Sequence, residues 1–263
     1  MLRQVTVSIV SHGHNESVKK LAYQISKIES NTIAYLTVTS NMPSLDTFNL
    51  VSDFKISSLK FLLLENPHPL GFGANHNQAF KYCNTEYFCV LNPDIALTQD
   101  PFAEILQTLN DPQVGCAYPM QIRSDGSALD SERELASPWS IVKRHLPFIG
   151  QRLRLQVTQA QAQGNKPVHW VNGACMVFRS DVFRQLGGFD ERYFMYGEDV
   201  DICLRLQLAG YKLARADATV VHDTQRRTLR DMRHFAWHVR SLLRLWGSDA
   251  YRDFKQRFIA KTG

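Results

Sequence analysis

The sequence predicts an α/β fold: a Rossmann-like, mostly parallel central sheet flanked by helices, with a helical carboxyl-terminal tail. Three observations predict it. Strand-like apolar stretches alternate with a helix-spaced segment between Val5 and Thr39, the pattern of a βαβ unit. A very apolar stretch, Glu86–Leu91, ends abruptly in Asn92-Pro93-Asp94. Between Trp170 and Tyr211 an acidic and aromatic segment becomes helical after Gly197. At 263 residues, 44% of them hydrophobic, the chain is long and apolar enough to bury a core.

Val5–Val10 is a buried first strand, followed by the turn-rich Ser11–Glu16. Val18, Leu21, Ala22, Ile25 and Ile28 recur at helical steps, and Ile33–Thr39 is a second strand. Ligands of parallel sheets bind beyond the carboxyl ends of the strands. Ser11, His12, Asn15, Ser40 and Asn41 should therefore face one cleft. Phe61–Leu64 is a third strand. After it, Gly71 and Gly73 flank Phe72 and let backbone approach a ligand, with Asn77 and a helix over 78–83 close by. No GK[ST] follows, so this is not a Walker loop.

Glu86–Leu91 is the fourth strand. It places Asp94 just past a strand end, either as an ordinary Asp of a Pro-containing turn or as an oxygen ligand for Mg²⁺ or Mn²⁺, which would offset the charge of a diphosphate. A helix over 100–109 and a strand over 115–119 follow. Residues 125–164 mix charges, prolines and polar runs and read as an excursion from the core. The core pattern resumes in strands over 168–179. There Gly173 and Ala174 are small, as needed where a ligand packs on backbone. A short helix spans 181–186.

The next segment is the densest in unusual residues. Glu191, Glu198, Asp199 and Asp201 lie among Tyr193, Phe194 and Tyr196. Gly187-Gly188 marks a turn, and Val200, Cys203, Leu204, Leu208 and Tyr211 define a helix that Gly210 caps. Glu198 and Asp199 fall in or before its first turn. They cap the helix, or they form a reactive site that the positive helix end keeps ionised. Asp201 lies four residues before Arg205, the spacing of a helix-stabilising pair. A last strand over 213–221 leads to His222, either a core histidine or a ligand.

The runs GACMVFR and GGFDERYFMYGEDVDICLRLQLAGY resemble the inverting family-two glycosyltransferases of the GT-A fold. Among these they are most similar to rhamnosyltransferase-type enzymes of bacterial surface polysaccharide synthesis. The resemblance implies a role for each loop. Ser11–Asn15 with Ser40-Asn41 would hold the base and ribose of a donor such as dTDP-rhamnose or a UDP-sugar. Ser40 stands where the family usually has Asp. Gly71, Phe72, Asn77, Asn92 and Gly173 would line the donor. Asn92-Pro93-Asp94 replaces Asp-x-Asp, making Asp94 and His222 the Mg²⁺ or Mn²⁺ ligands. The Glu-Asp pair of the family matches Glu198-Asp199, with Asp199 the general base. Residues 125–164 would cover the acceptor side, where a glycan or lipid-linked glycan binds.

Charge and cysteines bound the partners. From residue 223 onward the chain has ten Lys and Arg against four Asp and Glu, whereas the rest is nearly neutral. This speaks against a nucleic-acid-binding core and for a local anionic partner of the tail. Residues 1–222 should form the catalytic domain and 223–263 a basic helical extension. Phe235, Val239, Leu242, Leu243 and Trp246 form an apolar stripe there, and Arg226, Arg227, Arg230, Arg233, Arg240 and Arg244 a basic face. The helix either docks by the stripe or is drawn to an anionic membrane surface. Five cysteines in apolar surroundings read as reduced core thiols, predicting a cytoplasmic chain, which the basic tail would hold at the inner face of the plasma membrane. Two other functions stay in view. A nucleotidyltransferase would need a basic Gly-rich loop after the first strand, and Ser11–Glu16 has no Arg or Lys. A non-catalytic sugar-nucleotide or glycan-binding protein draws support from Ser40 and Asn92.

Overall fold

The structure, a computed structural model, describes residues 4–28, 32–42, 59–135, 167–223 and 232–259. Strand β1 (Val5–Ser11), helix α1 (Asn15–Ser26) and strand β2 (Ile33–Ser40) form the expected βαβ unit, with β1 and β2 parallel. The chain continues through β3 (Lys60–Glu65), α2 (Phe72–Phe80), β4 (Tyr87–Leu91), β5 (Ile95–Ala96), α3 (Phe102–Thr108), β6 (Val114–Ile122) and β7 (Glu132–Arg133). Then come β8 (Trp170–Val171), β9 (Cys175–Arg179), α4 (Ser180–Gln185), α5 (Glu198–Leu208) and β10 (Lys212–His222). The tail holds α6 (Met232–Trp246), α7 (Asp249–Phe254) and a π-helical turn, Lys255–Ile259.

Among the described residues the main sheet has the order β3-β2-β1-β4-β9-β6-β10-β5. Strands β1, β2, β3, β4, β6 and β10 share one direction, while β9 and β5 run against it. The carboxyl ends of six strands therefore lie on one edge. Ser11 is in register with Ser40, and Ser40 with Glu65. The antiparallel β9 starts at that edge, since Cys175 pairs with Leu91. This brings residues 172–174 beside Asn92, whose N–H donates to the Ala174 carbonyl at 2.8 Å.

The strands are apolar on both faces because both are covered. One face packs against Val18, Leu21 and Ile25 of α1 and Phe102, Ile105 and Leu106 of α3. The other packs Phe88, Val90, Met176 and Phe178 against Phe183, Phe189, Ile202 and Leu206. The five cysteines are buried and free.

Two expectations change. Helix α2 begins at Phe72, with Gly71 as its N-cap, so Gly71-Phe72-Gly73 is a helix start rather than a loop. The tail meets the core by only part of the expected stripe, where Trp246 packs with the buried residues. Leu245, Tyr251 and Phe254 are buried with Tyr193, Val200 and Leu204, whereas Phe235, Val239 and Leu243 remain exposed. The docking face is offset because Leu245 and the small Ser241 fit closer to the loop before α5. Of residues 125–164, those from 136 on lie outside the described residues, as do Arg226, Arg227 and Arg230; the preceding stretch supplies β7, paired with β8. No described helix is long and apolar enough to cross a membrane.

Candidate active site

Helix α5 begins at a forced geometry. Tyr196 and Gly197 both adopt positive φ, 69° and 88°, and turn the chain into Glu198. A tyrosine there is strained and persists because its surroundings fix it. Its hydroxyl lies 3.0 Å from His234 Nδ1 on α6. The acids that follow then take three different environments.

Asp201 is paired with Arg205 at 2.7 Å, the expected helical pair. The Arg205 guanidinium also donates to the Leu186 and Gly188 carbonyls, which ties α5 to the preceding turn. Asp199 projects to the sheet edge. Its Oδ1 accepts from the Val200 N–H at 2.8 Å and its Oδ2 from the Gly173 N–H at 3.2 Å. Burial pushes its carboxyl upward, opposed by those two N–H groups and by the charge of Arg133. Glu198 is 6% exposed, and its Oε2 has no hydrogen-bond partner among the described residues. Burial and the neighbouring Asp199 push Glu198 up to about 8. The expectation that the helix end keeps both acids ionised therefore fails for Glu198. A helix terminus stabilises a surface anion by only about 0.3–1 kcal/mol, less than desolvation costs a nearly buried carboxylate.

The second cluster joins Asp94 and His222. Ile95 pairs with His222 across β5 and β10, and the His222 Nε2 lies 3.4 Å from Asp94 Oδ1. The Nδ1 of His222 faces Gln121 Oε1 at 2.9 Å, while Gln121 Nε2 donates to Asn172 Oδ1 at 2.6 Å. Gln121 Oε1 can only accept, so Nδ1 donates to it, and Nε2 is the ring atom turned toward Asp94. A carboxylate and an oriented imidazole suit a divalent cation that fills its shell with phosphate and water oxygens. No group of three or more acidic, His or Cys ligands occurs among the described residues. A cation here would complete its shell with oxygens of another kind, such as water or phosphate.

The remaining candidates divide. Gly173 and Phe72 border Asp199. A Cβ on Gly173 would lie 3.3 Å from the Phe72 ring and 3.6 Å from the Asp199 Cβ. Asn92 joins this group through Ala174. Ser11, Ser40 and Asn41 are buried at the sheet edge, and their polar atoms shape the loops. Ser11 Oγ donates to Asn15 Oδ1 and accepts from the His14 N–H, and Ser40 Oγ donates to the Met42 carbonyl. The Asn41 side chain exchanges hydrogen bonds with both backbone groups of Leu70. His12 stays exposed on the rim; burial of part of its ring and nearby His14 and His234 lower its pKa.

Three expectations are corrected. Gly71 and Gly73 do not make room for a ligand. A Cβ on Gly71 would lie 2.8 Å from the Tyr193 and Phe194 carbonyls, and one on Gly73 would lie 2.6 Å from Phe189 Cβ. Both admit the segment before α5. Asn77 is likewise spent: its amide donates to the Phe189 carbonyl and Glu191, and its oxygen accepts from the Phe189 N–H. The structure also adds residues. Gln121 and Asn172 bridge the two clusters, Arg133 favours ionised Asp199, and Asn66 with Asn75 braces the loop below Asn41. Among these only Asn75 carried a signal, the repeated Asn in Asn75-His76-Asn77.

A model of the family described as glycosyltransferase like family 2 matches residues 3–244. The chain is 26% identical over 253 residues to rhamnosyltransferase WbbL of Escherichia coli K12, covering 91% of each chain. It is 31% identical over 176 residues to the N-acetylglucosaminyl-diphospho-decaprenol L-rhamnosyltransferase of Mycobacterium tuberculosis H37Rv, covering 59% of this chain and 53% of the relative. Its fold is similar to that of the mannosyltransferase PcManGT of Pyrobaculum calidifontis, solved with GDP-Man and Mn²⁺. The TM-score is 0.64 at 16% identity, over 93% of this chain and 65% of that one.

Proposed function

The chain belongs to glycosyltransferase like family 2, and from that membership we propose that it is an inverting enzyme using a nucleotide-sugar donor. Its acceptor is a hydroxyl of a lipid-linked glycan. Rhamnose, carried on dTDP, is the donor sugar this reading assigns, supported by the two rhamnosyltransferase relatives. The name of the mycobacterial relative, with its diphospho-decaprenol acceptor, supports the lipid-linked acceptor.

The observation that carries the mechanism is the unequal pair Glu198 and Asp199. Only one of two adjacent, poorly solvated carboxyls readily ionises near neutral pH. Backbone N–H groups of Val200 and Gly173 and the charge of Arg133 favour the anion at Asp199, while Glu198 retains its proton. A sugar hydroxyl is too weak an acid to ionise beforehand, so Asp199 takes its proton as the oxygen attacks. The new bond joins that oxygen to the anomeric carbon, and the bond to the diphosphate breaks. The electron pair leaves with the nucleoside diphosphate. One displacement with one base inverts the configuration.

Asp94 and His222 would hold Mg²⁺ or Mn²⁺, which offsets charge on the departing diphosphate when bound. Gln121 keeps the imidazole turned for that role. The Ser11–Asn15 loop and Asn41, with His12 on the rim, are the place for the nucleoside, resting on backbone more than on side chains.

The test is Asp199→Asn, which keeps the shape and removes the base. Turnover should fall by roughly 10²–10⁴-fold with donor affinity nearly unchanged. Near-normal turnover in that variant, alongside an inactive Glu198→Gln, would move the base to Glu198.

A further inference from the structure

Helix α6 is docked by one face only. On its inner side Trp237 packs tilted against Phe194 with ring centroids 4.8 Å apart, Ser241 Oγ donates to the Met195 carbonyl, and Leu245 is buried. On its outer side Met232, Phe235, Val239 and Leu243 are 80%, 59%, 39% and 64% exposed. Their steps of three, four and four residues place them in one stripe. Arg233 and Arg240 lie about a quarter turn away, and Arg244 continues their flank with its guanidinium turned inward over the Tyr193 ring, 5.9 Å from the centroid. The helix contains no Asp or Glu, and residues 224–231 before it add three arginines against one Asp.

We propose that α6 lies in the plane of an anionic bilayer surface, with Met232, Phe235, Val239 and Leu243 inserted among the acyl chains and Arg233 and Arg240 at the phosphate level. An amphipathic helix with an apolar stripe and an arginine flank binds this way, gaining from buried apolar area and from lipid charge together. A second copy of the chain fits the stripe less well. Four side chains are small against the roughly 800 Å² per partner of a stable interface. A two-fold pairing would also bring two acid-free, arginine-bearing helices together. Insertion acts on the site through the inner face, since Phe194, Met195 and Tyr196 lead directly into Glu198 and Asp199. It would hold that loop about one helix diameter, ~10 Å, above the lipid. The benefit for catalysis rests on the lipid-linked acceptor proposed above; the insertion itself does not.

The test is co-sedimentation of the full chain with phosphatidylcholine vesicles, with and without phosphatidylglycerol, at low and high ionic strength. Anionic vesicles should bind the chain more tightly than neutral ones, and high salt should weaken but not abolish this binding. The double variant Phe235→Ser/Leu243→Ser should partition at least about tenfold more weakly, with nucleotide affinity and melting temperature unchanged. Three results would overturn the proposal: partitioning of the variant equal to wild type, complete release by salt, or no wild-type binding to either vesicle. A wild-type dimer in sedimentation equilibrium that the variant turns into a monomer would reassign the stripe to a contact between copies. Should the double variant misfold, Val239→Cys bearing an environment-sensitive dye gives an independent reading. Its emission should shift to the blue on anionic vesicles, and an unchanged spectrum overturns insertion. Failure of insertion with an inactive Asp199→Asn would leave the catalytic reading standing.

Discussion

A shared helix N-terminus does not give Glu198 and Asp199 the same charge, because their surroundings differ more than their positions. Asp199 meets two backbone N–H groups and the field of Arg133, while one oxygen of Glu198 is buried without a partner among the described residues. A raised carboxyl pKa has a definite sign in stability. The unfolded carboxyl of Glu198 loses its proton near 4.5 and the folded one near about 8. Between those values the folded state holds the extra proton, so stability falls as pH rises through that window and is level above it. Glu198→Gln should remove this slope, roughly a few kcal/mol across the window. Urea melts of both proteins at several pH values would show it. A difference between them that stays constant with pH would refute the assignment. Residue by residue, the sequence exposed what is local. The Asp201–Arg205 pair follows from its four-residue spacing, and the Glu-Asp pair from its motif. Arg133 was hidden because only the folding of β7 beside β8 brings it toward Asp199.

At the scale of elements, the turn before α5 is gripped from two sides. Helix α2 enters below it through Gly71 and Gly73, and α6 covers it through Trp237 and Ser241. Gly71 has φ −66°, which any residue adopts, so conformation alone does not demand glycine. Alanine there would be neutral or slightly stabilising if space were free. Its Cβ would instead press on two backbone carbonyls at 2.8 Å, which cannot rotate away. Gly71→Ala should therefore destabilise by about 1–3 kcal/mol, the usual cost of overpacking, lowering the melting temperature by a few degrees per kcal/mol. An unchanged or higher melting temperature would show that the segment yields. The existence of α2 was legible, but its start was not: a Gly-Phe-Gly run signals flexibility until the partner that fills the missing Cβ space is seen. The stripe on α6 was legible as well. Its direction was not, because periodicity defines a face and says nothing of what the face meets.

For the whole molecule, six strands of one direction gather the site on one edge, and the reversed β9 brings residues 172–174 into its middle. A path of hydrogen bonds then runs from the proposed base to the proposed metal pair. Gly173 donates to Asp199, the adjacent Asn172 is locked to Gln121, and Gln121 accepts from His222, which faces Asp94. Gln121 is 1% exposed, so water does not readily substitute for it. Gln121→Met keeps the volume and removes both polar atoms. His222 then loses the acceptor that fixes its Nδ1 proton, and Mn²⁺ affinity in the presence of nucleotide should fall about 10–100-fold. Asn172 loses its anchor too, so the Gly173 N–H holds Asp199 less well. That N–H favours the anion, so its loss raises the Asp199 pKa and moves the acid limb of the kcat profile to higher pH. Gln121→Glu separates the two effects. The carboxylate still accepts from His222 and from Asn172 Nδ2 and restores metal affinity, but it loses the bond to Asn172 Oδ1 and adds a negative charge, so the acid limb stays displaced. Calorimetric Mn²⁺ titrations and pH–rate profiles of both variants test the path. Wild-type metal affinity in Gln121→Met would break it at His222, and an unmoved acid limb in both would break it at Asn172.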